Sequence, residues 1–324
     1  MSRDQSTTLL FLLVVLQGGC GEGLEPYNLL EGLRVLAVQA EPPTLAQGES
    51  TTLSALVYQE PGRTQSPTYK WSWCPFVDWE DEFACRVSEA EFATLIGLDA
   101  STISFDLGTN ETASFTYALT EETVTSLCFP ETEEVAELFP ECDGSLVIYM
   151  RLEVSDEQES LSVVKRVRLM TEISEPNQNP SLGEVKAAET DEDKWEDVDE
   201  EDASVLATDG TRIFSYQHHY KIFADIPEEA SETFTAWAIT EAGELVLEQA
   251  EESLFLTWFV TAGEAPQTTG RDPPLSDWEV LKENLWTMPA DDEVEGNEAQ
   301  VFLVLHDERG GVSWTERTVR LEFE

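Results

Sequence analysis

Positive charge is scarce in this chain: 18 Lys and Arg stand against 66 Asp and Glu, a formal net charge of -48 over 324 residues. So acidic a surface repels phosphate backbones, which excludes DNA and RNA as partners. Histidine is nearly absent as well. His218, His219 and His306 are the whole complement, and none lies in an H-E-x-x-H pair or another dense ligand set. His218-His219 sits in SYQHHYKIF, a strand-like run whose neighbours point to opposite faces, so the two rings are poorly placed to share a metal. The chain also lacks a G-x-S-x-G elbow, a phosphate-binding glycine loop and a D-[ST]-G turn. With 66 acids, close carboxylate pairs arise by chance, and nothing singles out a glycosidase-like pair. The expectation is a protein without enzymatic activity or cofactor. The alternative is a secreted or surface hydrolase whose carboxylate site has no sequence signature.

No apolar run approaches the roughly 20 residues that cross a bilayer. Leu9–Leu16, in LLFLLVVLQGGCG, spans eight, which suits the core of a secretory signal, although the segment before it offers only Arg3 against Asp4. The run ends at Gly18-Gly19-Cys20, small residues before a cysteine as in the bacterial lipoprotein box. That box has Leu three places before the cysteine; here Gln17 stands there and Leu16 one place earlier. The expectation is a signal peptide over 1–19 and a lipid on Cys20 that makes the membrane a partner. An ordinary secretory signal is the alternative, and either one exports the chain.

Setting Cys20 aside leaves Cys74, Cys85, Cys128 and Cys142, an even set that in an exported protein reads as two disulfides. Their order favours local bridges, Cys74 with Cys85 and Cys128 with Cys142. Zinc is the alternative, but spacings of eleven and fourteen contain no C-x-x-C knuckle.

Strand patterns fill the remainder. After a leader over 20–32, Leu33–Val38 and Thr51–Tyr58 alternate around a corner carrying Pro42, Pro43 and Gly48, and Tyr69–Cys74 is a third strand. Further alternation follows at Ile103–Leu107, Ser114–Ala118, Ser145–Val154 and Leu161–Leu169. Short strands so spaced indicate an antiparallel sandwich. Ser88-Glu89-Ala90-Glu91 is a capping-box helix start, and 131–138 is a second helical candidate.

The two halves end alike. DEQESLSVVKRVRL (156–169) and DERGGVSWTERTVRL (307–321) each read Asp-Glu, a turn, an alternating strand and Val-Arg-Leu. Trp73 and Trp258 are proposed counterparts upstream. The first copy is 34 residues longer between its tryptophan and this hairpin, where the four cysteines and both helical candidates lie. The chain therefore divides into a first sandwich over 33–174 with a cysteine-rich insertion, a linker over 175–181 and a second sandwich over 182–324.

Within the second, ETDEDKWEDVDEED (189–202) holds ten carboxylates in fourteen positions and is expected to repel itself into an open loop. An EF-hand spacing fails, since Trp195 takes the fifth place from Asp191 and no glycine takes the sixth. Asp197, Asp199 and Asp202 remain candidates for a looser calcium site, with a solvated loop as the alternative.

LRVLAVQAEPPTLAQGE (33–49), NQNPSLG (177–183), WFVTAG (258–263) and DERGGVSW (307–314) resemble segments of lipoproteins from myxobacteria and related Gram-negative bacteria. The resemblance implies mainly-β architecture, with two tandem immunoglobulin-like antiparallel β-sandwiches, and an outer-membrane address. It supplies no catalytic residue. The combined expectation is a lipid-anchored envelope protein serving as a binding, adhesion or structural module, with a protein or polysaccharide partner.

Overall fold

The structure is a computed structural model that describes residues 28–128, 145–170, 175–208, 210–239, 245–265, 269–271, 278–290 and 296–322. Alternating apolar residues build the first sandwich from β1 (Leu33–Glu41), β2 (Thr44–Leu45), β3 (Ser50–Gln59), β4 (Thr68–Cys74), β5 (Val77–Asp78), β6 (Ala84–Cys85), β7 (Asp106–Gly108), β8 (Ala113–Thr116), β9 (Ser145–Ser155) and β10 (Ser160–Met170). Sheet β1-β3-β8 faces sheet β2-β10-β9-β4-β7, and β5 pairs with β6 in a small ribbon. The prolines set the corner: β1 pairs antiparallel with β3, the Glu41–Pro42 peptide is cis, and β2 then runs parallel to β10 in the opposite sheet.

The second sandwich comprises β11 (Val185–Thr190), β12 (Ser204–Val205), β13 (Ile213–Ser215), β14 (His219–Ala224), β15 (Thr233–Ile239), β16 (Leu245–Glu251), β17 (Leu254–Val260), β18 (Thr269–Arg271), β19 (Glu283–Thr287), β20 (Glu298–Asp307) and β21 (Val312–Glu322). Sheet β12-β11-β14-β19 faces β13-β21-β20-β17-β18, and β15-β16 stands apart. β13 runs parallel to β21 as β2 does to β10. Both copies have the immunoglobulin-like plan, with a first strand that changes sheets and a terminal hairpin at the centre of the larger sheet.

Register corrects one sequence pairing. Trp71 lies opposite Leu152, four residues before Asp156, whereas Trp258 lies opposite Leu303, four before Asp307. The counterpart of Trp258 is therefore Trp71, and Trp73 corresponds to Val260. Trp71 and Trp258 are both fully buried. Trp73 instead meets Phe92, Phe105 and Phe115, at ring separations of 5.6, 4.9 and 5.3 Å, and so secures the insertion. The sequence comparison was off by one strand repeat because WSWC offers two inward tryptophans.

Helix α1 (Glu89–Leu95) starts at the expected capping box, with Ser88 and Glu91 bonded reciprocally. Two further helices, α2 (Glu121–Cys128) and α3 (Trp278–Lys282), were not read from the sequence. The candidate over 131–138 lies outside the described residues. The acidic segment is not the open loop that repulsion suggested. It forms 3-10 turns over Trp195–Asp197 and Glu200–Asp202, because cations fasten it. Buried Lys221 donates to the Val198 carbonyl at 2.8 Å, pairs with Glu283 and lies over the Trp195 ring, while Lys186 pairs with Glu200 and Lys194 with Asp191.

The sandwiches touch along a third apolar cluster in which Ala37, Leu56 and Tyr58 of the first meet Phe302, Val304 and Val312 of the second. The end of the expected leader belongs to this contact. Leu30 is buried in it, its N–H donates to the Val260 carbonyl, and Val260 N–H donates to the Asn28 carbonyl.

Candidate functional site

A built surface feature grows from the cysteines. Cys74 at the end of β4 is bonded to Cys85 of β6, closing a loop whose base is the ribbon pairing Val77 with Cys85 and Asp78 with Ala84. Its tip is Trp79-Glu80-Asp81-Glu82-Phe83. Glu82 and Phe83 both have positive φ, 46° and 61°, conformations that cost side-chain-bearing residues free energy and persist only where surroundings impose them. The imposing contacts are visible. Arg151 of β9 donates to the Glu82 carbonyl at 3.2 Å. Trp79 stands nearly perpendicular to Phe83 and to Tyr149 of β9, each centroid 5.6 Å away, the edge-to-face arrangement aromatic rings prefer. Trp79 is nonetheless 56% exposed. The result is a held indole, followed along the loop by the exposed residues Glu80, Asp81 and Glu82. Such a surface can stack on a sugar ring or an apolar side chain and accept hydrogen bonds around it.

Ionisable groups also gather at the junction of the sandwiches, where the linker crosses the turn between β20 and β21. Asp307 accepts from Gly311 N–H at 2.7 Å and from Asn177 Nδ2 at 3.2 Å. Asn177 N–H donates to Thr44 of the first sandwich. Asn179 Nδ2 donates to the Ala40 carbonyl while its Oδ1 accepts from Val312 N–H, and Ser313 donates to the Pro180 carbonyl. Arg309 reaches the Glu175 and Pro176 carbonyls and pairs with Glu252 at 3.1 Å. Lys165 of β10 donates to the Gly310 carbonyl. Any side chain at Gly311 would collide with Asp307 and the Gln178 carbonyl.

Burial governs the charges here. It pushes the Lys165 ammonium down to about 8, against the pull of Asp307, and pushes the Glu252 carboxyl up to about 7, with Asp307 adding repulsion. Burial and nearby Lys165 lower His306. A raised glutamate beside an aspartate has the electronics of a general acid, but Glu252 has no exposed surface; it is placed to hold the junction, not to meet a substrate.

Of the sequence-derived residues, Cys74 and Cys85 are joined. Cys20 and Cys142 lie outside the described residues, so the lipid site and the bridge expected between Cys128 and Cys142 do too. Asp197 closes one 3-10 turn, while Asp199 precedes and Asp202 closes the next. Among the described residues no three His, Cys, Asp or Glu side chains gather as a metal site. His218 bonds Glu189 and His219 bonds Thr287, so the paired histidines do diverge. Trp79 and the junction were missed by sequence reasoning. A tryptophan among acids inside a short cysteine-closed segment was the available signal for the first; the second depends mostly on partners 130 or more positions apart.

No protein-family model matches the chain, and no curated protein matches it in sequence. Similar solved structures include fibronectin(III)-like modules of Clostridium thermocellum CbhA, at 11% identity and a TM-score of 0.21 over 89% of this chain and 94% of that one. Murine CEACAM1b aligns at 8% identity and 0.20 over 89% and 100%, and extracellular domains 3–5 of Drosophila OTK at 9% and 0.20 over 91% and 98%. Alignments this loose carry no inference about activity or partner; the fold rests on the chain's own sheet order and register.

Proposed function

We propose that the chain is a non-enzymatic binding module of the cell envelope, exported and held at the outer membrane by a lipid on Cys20, and that it meets its partner through the Trp79 loop. One observation carries the reading: a large aromatic side chain is kept exposed by a disulfide, two perpendicular rings and a backbone strained at two consecutive residues. Conformations of that cost are retained where they present something. The partner is a polysaccharide or protein surface able to stack on the indole.

Retention on immobilised envelope polysaccharides and envelope-protein extract tests it. Trp79→Ala, with its exposed ring removed and the core untouched, is expected to lose at least tenfold in retention; unchanged retention would overturn the assignment. For the anchor, Cys20→Ser is expected to leave the membrane fraction or stay unprocessed, and a processed, membrane-bound variant would contradict it.

A further inference from the structure

The ribbon β15-β16 lies between β14 and β17 and pairs with neither sandwich. Its seven-residue strands run in register from Thr233 opposite Glu251 to Ile239 opposite Leu245. An isolated two-stranded hairpin is marginal in water, and Phe234 and Leu247 of this one belong to neither main core. Its outer strand is open on both faces: Leu247, Glu248 and Gln249 are all exposed, Leu247 by 58%.

The hydrogen-bond phase identifies the available edge. Glu252 N–H donates to the Glu232 carbonyl across the ribbon base, while Thr235 N–H points away from β16 to Glu175 of the linker. Thr235–Gln249 is therefore a non-hydrogen-bonded pair, and by alternation so are Trp237–Leu247 and Ile239–Leu245. The backbone donors and acceptors of 245, 247 and 249 consequently point outward from β16. Among the described residues no strand covers them. The linker, by contrast, already reaches the β15 edge.

We infer that the outer edge of β16 is a second binding site, which captures an extended segment of a partner protein by strand addition, the segment alternating apolar and basic residues. Edge strands accept a further strand through their unpaired amides and carbonyls. The preference follows from charge and register: beside Leu247 on one face the segment presents an apolar residue, and beside Glu248, set between Val246 and Ala250 on the other face, a basic one. A second copy of the chain is disfavoured as occupant, since each carries a net charge of -48. The site is separate from the Trp79 loop, so either assignment can fail without the other.

The probe is an acetylated, amidated heptapeptide alternating valine and lysine, titrated by fluorescence polarisation and by hydrogen exchange of the whole protein. Expected are slowed exchange at 247 and 249 and at least tenfold weaker binding by the same peptide with its alternate, edge-facing amides N-methylated. Leu247→Pro removes an outward donor without touching a cross-ribbon bond and is expected to abolish capture. Since proline can unravel the ribbon, Glu248→Lys is measured beside it; it should reject the valine–lysine peptide and accept a valine–glutamate one. Equal binding of the N-methylated peptide, protection elsewhere than β16, or unchanged preference in Glu248→Lys would each overturn the inference.

Discussion

At the centre of the first sandwich Trp71 lies opposite Leu152 and donates its indole N–H to the Asn110 carbonyl; at the centre of the second Trp258 lies opposite Leu303 and donates to Thr269. Val167 and Leu169 are buried in one core, Val319 and Leu321 in the other. The intervening arginines meet the parallel strand in each copy, Arg168 opposite Thr44 and Arg320 opposite Ile213. Away from this frame the copies diverge. The first carries the cysteine-closed loop and α1 after β4; the second carries the acidic segment after β11 and the ribbon before β17. The frame repeats where residues must fill a core, and it varies where loops face solvent or another molecule.

The largest test of that equivalence is in the cores. Trp71→Ala and Trp258→Ala should each cost about 3–5 kcal/mol, the usual range for removing a buried aromatic side chain, measured by urea unfolding. Similar losses would support the register; a small loss at Trp71 with a large one at Trp73 would restore the pairing read from sequence. Next comes the decoration unique to the first copy. Cys74→Ser with Cys85→Ser should cost roughly 3 kcal/mol in the chain-entropy model and impair partner retention as severely as Trp79→Ala. Retention unaffected by loss of the bridge would mean that the aromatic contacts suffice to hold the loop.

Most of the frame was legible in the sequence because its signals are local. Alternation placed β1, β3, β4, β9 and β10, the capping box placed α1, and the repeated Asp-Glu … Val-Arg-Leu ending exposed the duplication. The one-residue difference falls in the turn: four residues separate the paired Ser155 and Ser160, and five separate His306 and Val312. What was illegible depended on distant partners. Repulsion in 189–202 was plain, but Lys221, which fastens that segment, is apparent only once β14 lies beneath it. The linker is turn-rich and short enough to restrict the domains' relative movement, but that Asn177 and Asn179 bond both sandwiches is apparent only from the fold.

A third test separates the copies by pH. The folded state holds the Glu252 proton more tightly than the unfolded chain, from 4.5 up to about 7. Its stabilising contribution is therefore complete below pH 4.5 and lost as pH rises through 7, on the order of 3 kcal/mol by linkage. In Glu252→Gln, melting temperature should fall less between pH 5 and 7 than in the wild type. An identical profile would remove Glu252 as the titrating group. The smallest effect concerns the acidic segment. Asp197→Asn, Asp199→Asn and Asp202→Asn together should shift stability by only about 0.5 kcal/mol. Sodium chloride should raise the melting temperature by screening general repulsion. A saturable, calcium-specific rise abolished by those substitutions would instead establish a calcium site in the second copy.

The central claim is that two copies of one frame, joined through the 175–181 linker, the β20–β21 turn and the Tyr58–Phe302 contact, behave as one rigid body that displays its loops in fixed relation. Residual dipolar couplings of backbone amides in both sandwiches, measured in one alignment medium, test it most directly. A single alignment tensor fitting β1–β10 and β11–β21 together is the predicted result; two tensors of different magnitude, one for each sandwich, would contradict it.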